Sequence, residues 1–172
     1  MSRLDATSEE ILASLLKGSG MTLAAAESCT GGNISHRITT VPGSSEYYLG
    51  SVTSYSPLVK QAVLGVSPDL IRDEGIVSAG VAASMAHGVR RVLGSDFSVA
   101  TTGWADRYGD EREPAGTCWV AVCGPAGTKT LRVRSEGSRT ANIEHFTTAA
   151  LDFLGKYIAD AINISDIEDE TK

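Results

Sequence analysis

Apolar positions recur along the chain in a helical rhythm and in short continuous runs, with turn residues between them. Thr7 followed by Glu10 forms a capping box ahead of an apolar helical face at Ile11, Leu12, Leu15 and Leu16, and Gly18 is a good stop. Residues 21–26 are a short apolar run that predicts a buried strand. The segment 28–32 breaks it, and a helix follows over about 31–38. Val41-Pro42-Gly43-Ser44-Ser45 is turn-rich, and residues 47–55 mix aromatic and β-branched side chains and contain a strand. Pro57 opens a helix over about 57–64, and Ser67-Pro68-Asp69 opens a short one through Ile71. Ser78 caps a longer helix through Val92, stopped by Gly94.

Residues 97–101 predict a strand ending in Thr102-Gly103, and 104–116 are polar and charged, the pattern of a loop. Two strands, 117–123 and 128–133, are joined by Gly124-Pro125-Ala126-Gly127 as a hairpin. The last helix covers about 139–161, and the acidic residues 165–172 read as a frayed tail. Helices alternate with strands and one strand pair is a hairpin, so the expected fold is α/β, a mixed sheet with helices on both faces. No repeat or linker interrupts the pattern, and residues 1–172 are expected to form one domain.

Composition narrows the function classes. Hydrophobic residues make up 42% of the 172, enough for a buried core. Net charge is −6 and aromatics are 6%, which argues against nucleic acid as a partner. No apolar run approaches the roughly 18–20 residues of a membrane span, and the N-terminal residues lack a signal-peptide pattern. Cys29, Cys118 and Cys123 show no metal-site spacing, and the expected compartment is a reducing cytoplasm. Cys118 and Cys123 are an odd number apart within one strand, so they should face opposite sides.

The candidate chemistry sits at Glu27-Ser28-Cys29-Thr30-Gly31-Gly32, between a predicted strand and a predicted helix. Free backbone N–H groups at a helix start can hold an oxyanion or a phosphate, and Gly31 and Gly32 let a ligand approach the backbone. A hydroxyl there can attack a carbonyl held by those donors. Alternatively, Ser28 or Thr30 merely caps the helix, and Cys29 is a rival nucleophile. The turn is neither a phosphate-binding P-loop nor a Gly-x-Ser-x-Gly elbow. His36, His87 and His145 fall within predicted helices and read as surface residues, so no Ser-His-Asp set emerges.

The block Ala24-Ala25-Ala26-Glu27-Ser28-Cys29-Thr30-Gly31-Gly32 resembles the signature of the CinA C-terminal family, whose members include nicotinamide-nucleotide amidases. The similarity continues through Pro42-Gly43-Ser44-Ser45, Tyr55-Ser56 with Lys60, Leu64-Gly65-Val66, Gly75-Ile76-Val77-Ser78, Thr102-Gly103 and Pro114-Ala115-Gly116-Thr117. It implies a three-layer α/β/α fold, homo-oligomeric assembly, and deamidation of nicotinamide mononucleotide to nicotinic acid mononucleotide and ammonia. It also implies that no metal or cofactor is needed. Residue by residue, it implies Ser28 as nucleophile, Lys60 as its base and Tyr55 as a relay or orienting group. A lysine serves as base when burial or a nearby cation lowers its pKa. A nucleotide substrate also needs a phosphate site. The candidates are the Thr30-Gly31-Gly32 turn with Cys29 beside it, Thr102-Gly103, and one of Arg132, Arg134 or Arg139.

The pattern breaks after Thr102-Gly103, where the family has Ile-Ala-Gly-Pro and a Gly-rich stretch and this chain has Trp104-Ala105-Asp106-Arg107-Tyr108-Gly109-Asp110. An acid there repels a phosphate, although Arg107 can offset it. Three readings stand at this point: an amidase of nicotinamide mononucleotide, the same serine chemistry on another amide, and an idle relative that binds a nucleotide or a protein.

Overall fold

The computed structural model describes residues 6–169, with side chains through 163. The helices are α1 (Ser8–Leu16), α2 (Asn33–Thr39), α3 (Pro57–Ala62), α4 (Pro68–Glu74), α5 (Ala79–Leu93) and α6 (Arg139–Asp169). The strands are β1 (Leu23–Glu27), β2 (Tyr48–Thr53), β3 (Phe97–Trp104), β4 (Thr117–Gly124) and β5 (Gly127–Arg134). Local chemistry sets many boundaries. Glu10 reaches back to accept from the Thr7 N–H at 2.8 Å, and Ser56, Ser67 and Ser78 cap α3, α4 and α5 through their hydroxyls.

The sheet order is β2-β1-β3-β4-β5. β1 runs parallel to both β2 and β3, while β3–β4 and β4–β5 are antiparallel. The mixed sheet therefore has β1 near its centre, buried at every position. Alternation along β1 divides its side chains between the two faces. Leu23 and Ala25 join a core built with α1, α2 and α6, including Leu12, Ile34, Phe146 and Leu151. Ala24 and Ala26 join a second core with Val81, Met85 and Val89 of α5 and Leu64 and Val66 beyond α3. This is the three-layer α/β/α arrangement. Cys118 packs in the first core and Cys123 in the second, as their odd spacing requires.

Several boundaries differ from the sequence pattern; α4, expected to stop at Ile71, runs to Glu74. β3 continues to Trp104, because Thr102, Gly103 and Trp104 pair with Trp119, Cys118 and Thr117 of β4. A Cβ at Gly103 would lie 2.6 Å from the Thr117 carbonyl oxygen, so the close strand approach requires glycine there. The last helix continues to Asp169, so residues 165–169 of the expected tail are helical; residues 170–172 lie outside the described ones.

Candidate active site

Ser28 follows the last residue of β1, between the C-terminal ends of β2 and β3, where open α/β sheets gather ligands. The turn after it depends on Glu27, whose fully buried carboxylate accepts four hydrogen bonds. Its donors are the Thr30 hydroxyl (2.7 Å) and the N–H groups of Gly32 (3.1 Å), Ile34 (3.0 Å) and Ser35 (2.9 Å). Gly31 and Gly32 have φ values of 61° and 103°, a conformation that favours glycine, and so fold the chain back over that carboxylate.

These bonds take the Gly31 and Gly32 N–H groups and the Thr30 hydroxyl out of the expected ligand role of the Thr30-Gly31-Gly32 turn. The N–H groups at the start of α2 already hold Glu27, the Gly31 N–H donates to the Ser28 carbonyl, and the Thr30 hydroxyl is shared with Thr101 at 2.9 Å. Thr30, Gly31 and Gly32 shape the turn from behind; Ser28 and Cys29 face the cavity. Among the described residues, the backbone N–H groups of Cys29 and Thr30 make no hydrogen bond.

Lys60 lies in the last turn of α3 and is 1% exposed. Its Nζ lies 2.7 Å from Ser28 Oγ and donates to the Ser54 carbonyl at 2.6 Å. Ser54 is itself tied to β1, its N–H donating to the Glu27 carbonyl at 2.8 Å. The lysine is thus aimed by the strand that carries the serine. Desolvation lowers its pKa to about 8, partly opposed by charge interaction with Cys29.

Tyr55 does not join the pair. It is 60% exposed at the cavity mouth, where its hydroxyl accepts from the Arg139 guanidinium at 2.6 Å. Arg139 opens α6 and also faces Asp106, 3.9 Å away. Thr102 and Gly103 line the cavity, but the Thr102 hydroxyl is committed to the Ile76 carbonyl at 2.8 Å. Arg132 is held by Glu113 and Arg134 donates to Thr117 Oγ1, so Arg139 is the member of that trio on the cavity. His36, His87 and His145 are exposed residues of α2, α5 and α6, and none lines the cavity.

The cavity measures about 480 Å³. Pro57, Ile76, Val77, Trp104 and Tyr108 supply apolar walls, with Ser28 and Lys60 lining it as well. The segment after β3 is pinned on several sides. Asp110 accepts from the N–H groups of Arg112 and Glu113, and Arg112 donates to the Asp73 carbonyl at 2.9 Å. Glu113 accepts from Trp119 Nε1 and from Arg132. Burial would raise the Glu113 pKa, but the hydrogen bonds from Arg132 and Trp119 prevail and lower it.

Sequence reasoning missed Glu27 and Ser54. The signal for Glu27 was present: an acid just before a turn whose following helix carries unsatisfied N–H groups. Ser54 acts through a main-chain carbonyl, which no side-chain pattern reveals.

The fold and site define a three-layer α/β protein with a buried serine–lysine pair at the ends of parallel strands. The chain belongs to the family of the CinA C-terminal domain, whose model matches residues 5–158. It is 45% identical over 149 residues to a CinA-like protein of Salinibacter ruber, covering 86% of this chain and 36% of that one. It is 40% identical over 143 residues to a putative competence-damage inducible protein of Desulforamulus reducens, covering 83% and 35%. The chain thus spans about a third of the length of these relatives. Among solved structures, a competence-damaged protein (CinA) superfamily protein from Enterobacter cloacae superposes with a TM-score of 0.84 at 31% identity, over 92% of this chain and 98% of that one. The competence/damage inducible protein CihA from Agrobacterium tumefaciens gives 0.78 at 29%, over 90% and 97%.

Among the described residues, no helix is long and apolar enough to cross a membrane.

Proposed function

We propose that this chain is a serine-dependent amidohydrolase that converts nicotinamide mononucleotide to nicotinic acid mononucleotide and ammonia. The observation that carries this reading is the 2.7 Å contact of Lys60 Nζ with Ser28 Oγ, inside a buried pocket that lowers the amine's pKa to about 8. A serine hydroxyl needs a base to become a nucleophile, and a desolvated lysine supplies one near neutral pH.

In the proposed reaction the neutral Lys60 amine takes the Ser28 proton as Oγ attacks the carboxamide carbon. The developing oxyanion is received by the N–H groups of Cys29 and Thr30. The protonated lysine then gives its proton to the departing ammonia. Water, deprotonated by the same amine, releases the acid and restores Ser28. The Ser54 carbonyl fixes the amine throughout, and Glu27 fixes the turn that carries nucleophile and donors. A pyridine ring fits the apolar walls, and Arg139 at the mouth faces the phosphate end.

Asp106 favours a second reading, the same chemistry on a different amide. Its carboxylate shares the mouth with Arg139 and weakens that residue's pull on a dianion. Ammonia release from the purified protein decides between them. The expected result is release from nicotinamide mononucleotide in wild type and none in Ser28→Ala. Release only from a neutral amide in a substrate panel would favour the second reading. No release from any amide would overturn both.

A further inference from the structure

All three cysteines are free thiols, and two of them meet at the active-site wall. Cys29 Sγ lies 3.6 Å from Cys118 Sγ, although the residues are 89 positions apart. The pair is therefore made by the fold, with Cys29 following Ser28 and Cys118 in β4 opposite Gly103 of β3. Cys29 forms part of the cavity wall, whereas Cys118 is fully buried and does not line the cavity. Cys123 lies in the core on the opposite face of the sheet, with its sulfur 3.5 Å from His87 Nδ1.

This arrangement has the parts of a two-cysteine oxidation site. Cys29 is 4% exposed, and the cavity it lines is the route by which a small oxidant would reach it. Cys29 follows Ser28, whose hydroxyl lies 2.7 Å from the Lys60 amine, and it interacts electrostatically with that amine. A second thiol waits in contact behind it to resolve the first oxidation product.

We infer that Cys29 and Cys118 form a modification site for small hydroperoxides, closing to a disulfide that draws Ser28 away from Lys60. In the first step Cys29–SH attacks the peroxide O–O bond of hydrogen peroxide. This gives Cys29–SOH and one water, with the sulfur oxidised and the peroxide reduced. In the second step the Cys118 sulfur attacks the Cys29 sulfur. The S–OH bond breaks, the S–S bond forms, and hydroxide leaves with the Cys118 proton as a second water. A disulfide needs an S–S distance of about 2.05 Å, so the sulfurs must approach by roughly 1.5 Å. Cys29 is joined to Ser28 by one peptide bond, so that movement is transmitted to the residue that makes the 2.7 Å contact with Lys60. Misplacement of about 1 Å at a reacting centre costs on the order of a hundredfold in rate.

Formation of the disulfide is independent of the proposed amidase reaction; loss of turnover rests on it. The test treats the reduced full chain with hydrogen peroxide and counts thiols after denaturation. It also maps any linkage by peptide mass and measures the rate at which a fluorophosphonate labels Ser28. The expected result is a fall from three thiols to one and a Cys29–Cys118 peptide. Serine labelling should slow at least tenfold and recover with dithiothreitol. In Cys118→Ala and, as a second replacement, Cys118→Ser, labelling without peroxide should match wild type, no linkage should form, and dimedone should trap Cys29 as the sulfenic acid. Three thiols persisting in treated wild type, a linkage through Cys123, or a Cys29–Cys118 disulfide with unchanged serine labelling would overturn the inference. If thiols and labelling behave as expected while no amide is hydrolysed, the proposed function fails and this site stands.

Discussion

At the residue scale Lys60 is the decisive side chain. In the sequence it is a lone lysine near the end of a six-residue helix, a place where lysines are ordinarily solvated. Only the approach of the last turn of α3 to the end of β1 buries it beside Ser28, and that approach is a long-range property with no local pattern. With a pKa of about 8, the amine is mostly protonated at pH 7, and its basic form grows as pH rises. With Lys60 as base, kcat/KM is expected to climb with unit logarithmic slope up to about pH 8 and to level above it. A pH–rate profile flat from 6 to 9 would contradict Lys60 as base. The same shift links to stability. The folded pKa lies below the unfolded value, so between about 8 and 10.5 the unfolded chain holds the extra proton. This group therefore increases stability as pH rises through that window. Tyr55 shows the reverse lesson: the family resemblance implied a relay, yet the fold turns its hydroxyl toward Arg139.

At the scale of elements, the turn between β1 and α2 carries the most chemistry. The strand–turn–helix pattern was legible, because an apolar run gives way to Gly-Gly and then to a helical rhythm. What occupies the helix start was not foreseen, since a ligand and a neighbouring carboxylate satisfy the same N–H groups equally well. Replacing Glu27 by Ala strands three N–H groups and leaves the Thr30 hydroxyl with Thr101 alone. Thermal or urea unfolding of Glu27→Ala is expected to show a loss of at least about 2 kcal/mol. A loss below about 0.5 kcal/mol would show that water replaces the carboxylate and that the turn is not held as described. Gly103→Ala is expected to cost about 1–3 kcal/mol, because its Cβ meets the Thr117 carbonyl across the β3–β4 pair. Strand pairing also explains why β3 outran its predicted end: Trp104 looks like loop in a polar stretch and becomes strand through its partner Thr117.

At the scale of the whole molecule, the site gathers residues from β1, α3, the end of β3 with the segment after it, and the start of α6. The class of fold was readable from alternating elements, and the family block at Ser28 falls at the C-terminal end of β1, on the cavity. The mouth was not readable, because Arg139 and Asp106 meet only when α6 docks beside the segment after β3. Both are about half exposed, so their ion pair contributes at most about 1 kcal/mol. For an anionic substrate, Asp106→Asn is accordingly expected to lower KM by up to about fivefold with kcat unchanged. Steady-state kinetics on the variant check this, and a rise in KM would show that Asp106 itself contacts substrate. The most direct test of the serine–lysine pair is covalent labelling, read by intact mass with a fluorophosphonate at neutral pH. A working serine–lysine pair predicts one adduct in wild type, located on Ser28, none in Ser28→Ala, and at least about hundredfold slower labelling in Lys60→Ala. Failure of folded wild type to label, or labelling unchanged in Lys60→Ala, would contradict it.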